Sequence, residues 1–189
     1  MLLLFRNIRR NDEVCKDDCI KFGIRRIYGF DDFKINFTYP KKVVNSIIDD
    51  EYLDGRERFR YKKAVILMGA NATGKTSIGK ALLKIITYIN TGNIAVLYDM
   101  IMGKTGSFLI DFVNDGFCLH RLIGNIDVVT SSIDIKYQSA KIDKMDSYEK
   151  CITKLEDHTN EAMKNINSLK KIIGPISYRF AYPEIESSI

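Results

Sequence analysis

The chain has 189 residues and a mass of 21.7 kDa, with 46% apolar residues, 28% charged residues and a net charge of +5. That is the length of one ordinary domain, and the composition excludes wholesale disorder, collagen-like repeats and a disulfide scaffold built on four cysteines. No apolar run nears the ~20 residues that span a bilayer, and Arg6 interrupts an apolar start that no basic segment precedes, so neither a membrane span nor a signal peptide is expected. Reduced thiols in the cytoplasm are the expectation. Cys15 and Cys19 are close, but no His/Cys pair of metal-ligand spacing answers them. The basic balance permits a nucleic-acid partner without demanding one.

Residues 1–18 are weakly patterned. From Ile20 the apolar positions Ile20, Phe22 and Ile24, then Phe33, Ile35 and Phe37, alternate on either side of a Gly/Asp-rich centre. Period two around a turn predicts two strands. Residues 41–63 read as a charged excursion, with a short helix around 43–52. Residues 64–68, Ala-Val-Ile-Leu-Met, form a continuous apolar run that suits a strand buried on both faces. After a loop over 69–74, Ile78, Ala81, Leu82, Ile85, Ile86 and Ile89 mark one face of a helix over 76–90.

Further strands are expected at 94–98, 108–113, 117–123 and 126–137. Asn114-Asp-Gly116 is a hairpin signal between two of them. The last element is a long helix over 146–173, with Asp146 as N-cap and Glu149 three residues on. Its stripe of Tyr148, Ile152, Leu155, Thr159, Ala162, Ile166, Leu169 and Ile173 follows heptad-like steps before Gly174-Pro175. Such a helix lies across its own domain or pairs with a partner helix.

The chemistry concentrates at Gly69-Ala70-Asn71-Ala72-Thr73-Gly74-Lys75-Thr76, a G-x-x-x-x-G-K-T phosphate loop between a predicted strand and a predicted helix. The glycines permit backbone conformations in which successive N–H groups, from Gly69 through to Ser77, converge on phosphate oxygens. The helix N-terminus adds free amides and partial positive charge. Lys75 is expected to reach the β- and γ-phosphates, and the Thr76 hydroxyl to ligate Mg²⁺. ATP or ADP with Mg²⁺ is the predicted ligand.

With Asn71 at its third position, the loop resembles the G-x-N-x-x-G-K loop of ABC-type ATPases. The upstream segment Ile24-Arg-Arg-Ile-Tyr-Gly-Phe-Asp-Asp-Phe-Lys-Ile-Asn-Phe37 is similar to the opening of RecF/SMC/Rad50-like heads. With Gly79-Lys-Ala-Leu after the loop, the match is nearest the OLD/AAA-15-like branch, over residues 20–90. The resemblance implies an α/β P-loop NTPase fold: the N-terminal lobe of an ABC-type head, with a mixed sheet, a β-rich insertion over 94–137 and the long C-terminal helix. It implies a role in DNA maintenance or defence, a DNA partner, and a homodimer through nucleotide. The long helix offers another route to a dimer. Arg25 and Arg26 match the family's basic turn near the nucleotide phosphates, and equally suit two solvated arginines on a strand.

No signature loop and no apolar strand ending in Asp-Glu follows the loop, so the chain reads as one lobe stopping before its second half. Asp99 closes an apolar run and is a candidate Mg²⁺-directed residue, though it lies too near the loop for an ABC-type head. Gln138 follows a predicted strand and is the candidate for a glutamine that, in the family, touches Mg²⁺ and the attacking water. His120 and His158 lack triad partners and read as structural. Arg56, Arg58, Arg60, Lys62 and Lys63, interleaved with Phe59 and Tyr61, suit either a nucleic-acid contact or an edge strand with one wet face. Alternatives to the ATPase lobe are a compact P-loop kinase with Asp99 or a nearby carboxylate as its metal or base residue, and a non-hydrolysing nucleotide-sensing or interaction module that dimerises through the long helix.

Overall fold

A computed structural model describes residues 3–6, 18–39, 51–62, 64–70, 72–113 and 116–159. The first strands are β1 (Leu3–Arg6), β2 (Asp18–Arg25) and β3 (Phe33–Asn36). Then come β4 (Tyr52–Leu53), β5 (Arg56–Arg60), β6 (Ala64–Leu67) and the helix α1 (Lys75–Thr91). The four-residue helix α2 (Ala95–Tyr98) leads into β7 (Thr105–Val113), β8 (Cys118–Asp127) and β9 (Ser132–Lys141). The short helix α3 (Tyr148–Thr153) and β10 (Glu156–Asp157) close the described chain.

Alternation in β2 and β3 forms the expected antiparallel pair, with Lys21 opposite Asn36 and Ile24 opposite Phe33. The hairpin expected at 114–116 is also there, because β7 and β8 pair antiparallel from Thr105↔Asp127 to Val113↔Leu119. Its strands run longer than predicted: β8 continues to Asp127, and β9 starts at Ser132 where one strand over 126–137 was expected. The main sheet has six strands in the order β10-β9-β8-β7-β2-β3, every neighbouring pair antiparallel.

The expected α/β P-loop NTPase fold of an ABC-type head is therefore corrected. This is a mostly antiparallel β protein with one main helix. The strand before the loop, β6, lies outside the main sheet and pairs antiparallel with β1, from Leu3↔Leu67 to Arg6↔Ala64. It is not buried on both faces: Ile66 is 49% and Met68 82% exposed. Nor does a strand form at 94–98. Gly92, in the left-handed region at φ 70, closes α1 by donating its N–H to Tyr88 O, and the Asn93 side chain accepts from Ala95 N at 3.0 Å to restart the chain as α2.

Two cores hold the sheet. On one face, Ile78, Ala81, Leu82, Ile85, Ile86 and Ile89 of α1 share a cluster with Phe22, Ile24, Phe108, Ile110, Phe112, Leu122 and Tyr137. Each large apolar side chain so buried contributes about 1.5–3 kcal/mol. A second cluster joins Phe59 and Tyr61, which flank the end of β5, to Val113, Leu119, Tyr148 and Cys151. The charged excursion thus yields the small β4–β5 hairpin, while residues 43–50 of the helix expected there lie outside the described residues.

The single long helix expected over 146–173 is also corrected. Ser147, not Asp146, caps α3, which ends at Lys154, and Glu156 and Asp157 pair with β9. Asp146 is instead fully buried and bridged by Lys150 at 2.8 Å and Lys154 at 2.5 Å. Ala162, Ile166, Leu169 and Ile173 of the stripe lie outside the described residues. No described helix is long and apolar enough to cross a membrane.

Candidate phosphate-binding loop

The loop between β6 and α1 turns on two left-handed residues, Ala72 at φ 63 and Gly74 at φ 83. Gly74 is the N-cap of α1 and offers no side-chain cap, so the first amides of the helix are not satisfied by the capping residue. No acidic residue lies in the first turn, where Lys75, Thr76 and Ser77 stand. That end of α1 therefore keeps its positive potential.

Lys75 is turned back into the loop and is only 8% exposed. Its Nζ donates to Gly69 O at 2.8 Å, to Thr73 Oγ1 at 2.9 Å and to Ala70 O. An ammonium has three protons, and all three are used. Thr73 Oγ1 in turn donates to Ala70 O at 2.9 Å. Gly69, Ala70, Thr73 and Lys75 are thus drawn together, with Thr76 and Ser77 half-buried in the first turn of α1. Asn71 lies outside the described residues.

Phe30, which the sequence did not single out, belongs to this site. A Cβ added at Gly74 would lie 2.5 Å from Phe30 Cζ, so the ring rests on the backbone at the helix start. The ring also packs on Phe33, with centroids 5.4 Å apart. Phe30 sits in the turn between β2 and β3, remote in sequence from the loop, and no local spacing could have flagged it. The same turn holds Arg26 at φ 55 and Tyr28 at φ 47, pinned where Tyr28 N donates to Met100 O at 2.8 Å.

The other predicted residues stand elsewhere. Gln138 is inside β9, opposite Arg121 on one side and Asp157 on the other, rather than after a strand. The register places it level with Lys21 and three strands from β2, about 14 Å at the usual ~4.8 Å spacing. Asp99 caps α2 and pairs with Lys84 of α1. Lys84 lies nine residues beyond Lys75, about 13 Å along the helix. Arg25 and Arg26 are exposed, and Arg26 Nη1 donates to Thr105 Oγ1 at 3.3 Å.

Arg56 is spent on its own fold: its Nε donates to Ile142 O at 2.8 Å and its guanidinium sits 3.6 Å from the Phe117 ring centroid. His120 is structural in its surroundings, stacked between Phe112 and Tyr137 with Nδ1 2.7 Å from Tyr137 Oη. Among the described residues, no three His, Cys, Asp or Glu side chains gather in a way that could hold a metal ion.

The donor set suits an anion with its own counter-ion. It offers an uncapped helix start, a buried ammonium and a hydroxyl on the first turn, with the Phe30 ring lying against Gly74. No family model matches the chain, and no curated protein matches it.

Proposed function

We propose that the protein binds ATP or ADP with Mg²⁺ at residues 69–77. The carrying observation is the burial of Lys75 at the focus of the loop, beside the uncapped start of α1. On binding, Lys75 exchanges its neutral acceptors, Gly69 O, Ala70 O and Thr73 Oγ1, for charged phosphate oxygens. Charge-assisted bonds of that kind are roughly twice as strong as neutral ones. Gly74 and the amides that follow it surround the anion, and the Thr76 hydroxyl is the residue to hold Mg²⁺. The metal supplies neutralisation of the β- and γ-phosphate charge. This reading rests on the loop and the helix start, independently of the fold expected for an ABC-type head. A role in DNA maintenance or defence remains attached to the resemblance over residues 20–90.

The compact-kinase alternative is the weaker one, because Asp99 is held by Lys84 well along α1. Mg-ATP is expected to raise the melting temperature of the full chain, and Lys75→Ala to abolish the rise. In Thr76→Ala, ATP should still stabilise, but with little added benefit from Mg²⁺. Equal stabilisation of wild type and Lys75→Ala would remove the loop from the binding site.

A further inference from the structure

The outer face of the main sheet carries a charge pattern that the loop does not use. By register, Arg25, Ser107, Asn125 and Asp134 form one row across β2, β7, β8 and β9. Thr105, Asp127 and Ser132 form a second row one pleat beyond it. The alternate residues Ile24, Phe108, Ile126 and Ile135 point into the core, so both rows face outward. Together with Arg26 they line a groove of ≈ 360 Å³.

The four side chains of the first row make no hydrogen bond or ion pair with another described residue. Both cations lie at the β2 edge, and both carboxylates lie on β8 and β9. Three strand spacings, about 14 Å, separate Arg25 from Asp134. A surface with opposite charges at its two edges complements itself under rotation.

We propose that this face docks a second copy of the chain about a two-fold axis that runs along the strands between β7 and β8. That operator sets Arg25 against the partner's Asp134, and Ser107 against the partner's Asn125. In the second row it sets Thr105 against the partner's Asp127, with Arg26 beside that row in the groove. An axis across the strands would instead set arginine on arginine and aspartate on aspartate, and charge excludes it. Exposed ion pairs are individually weak and screened by salt, so the dimer is weak and salt-sensitive.

The test is sedimentation velocity of the nucleotide-free full chain across a concentration series at low ionic strength, which makes it independent of the ATP reading. Wild type should approach twice the monomer mass and return to monomer in 1 M salt, where the screening length is about 3 Å. Arg25→Asp and Asp134→Arg should each weaken association at least about tenfold, because like charges then face each other. The double variant Arg25→Asp/Asp134→Arg should recover it, since the swapped pair is restored. A monomer at every concentration would overturn the proposal and leave the groove to another ligand. Single variants that associate like wild type, or a double variant no better than the singles, would overturn it equally.

Discussion

At Gly74 two constraints coincide: a backbone at φ 83, and a Phe30 ring whose Cζ lies 2.5 Å from where a Cβ would stand. Left-handed backbone costs an L-residue roughly 1–2 kcal/mol, and the ring must also move. Gly74→Ala should therefore lower the unfolding free energy by at least about 1 kcal/mol in urea titration and weaken nucleotide binding with it. Phe30→Ala loses its own packing on Phe33 and the core, but the double variant should lose less than the sum of the two singles, because the clash with the ring is gone. His120 supplies a second residue-scale prediction. Burial pushes its pKa down to about 4, below the ordinary 6.5. The unfolded chain therefore takes up the proton first, and stability present above pH 6.5 is lost as pH falls toward 4. A gap of that size corresponds to about 3 kcal/mol. Denaturation at pH 7 and pH 4.5 should show the loss, and His120→Gln should flatten that part of the profile.

Among the elements, α3 is tied to the sheet by a buried polar cluster. Asp111, fully buried, accepts two hydrogen bonds from Arg121, both 2.8 Å, and one from Tyr148 Oη at 2.7 Å. The bonds to Asp111 hold the Arg121 guanidinium above its ordinary range, while burial and then Asp111 push the Tyr148 hydroxyl up. Asp111→Ala leaves Arg121 half-buried without its counter-ion and should cost about 3–5 kcal/mol in a urea titration. Replacing Tyr148 by Phe removes the bond to Asp111 and the long one, 3.4 Å, from Arg121, leaves the ion pair in place, and should cost only about 1–2 kcal/mol. None of this cluster was legible in the sequence, because its members meet only through strand register. What could be read was local: alternation in β2 and β3, the helical spacing in α1, and the turn between β7 and β8. Residues 94–98 misled because a short apolar run does not distinguish a strand from a helical turn. The heptad-like stripe misled because it runs past Lys154, where lysine pairs with Asp143 and Asp146 and pairing of β10 with β9 end the helix.

Over the whole molecule, a six-stranded antiparallel sheet carries α1 on one face, and the phosphate loop reaches that sheet through Phe30. The loop motif was readable because its chemistry is contiguous; its setting was not, because the pairing of β6 with β1 is a long-range choice. The proposed nucleotide binding needs only the loop amides, Lys75 and Thr76. Hydrolysis needs in addition a carboxylate or other group to place water, and losing such a group typically costs 10²-fold or more. Among the described residues Lys75 Nζ is met by two carbonyls and a hydroxyl rather than a carboxylate, and Asp99 is engaged by Lys84. Steady-state phosphate release at saturating Mg-ATP should therefore stay close to background, and robust release abolished by Lys75→Ala would place a catalytic group in the chain. The most direct measurement of the central claim is isothermal titration calorimetry of Mg-ATP into the full 189-residue chain beside its Lys75→Ala variant. A saturable one-site isotherm in wild type, weakened at least about tenfold in the variant, is the predicted result. No saturable binding in wild type, or equal affinity in both proteins, would contradict it.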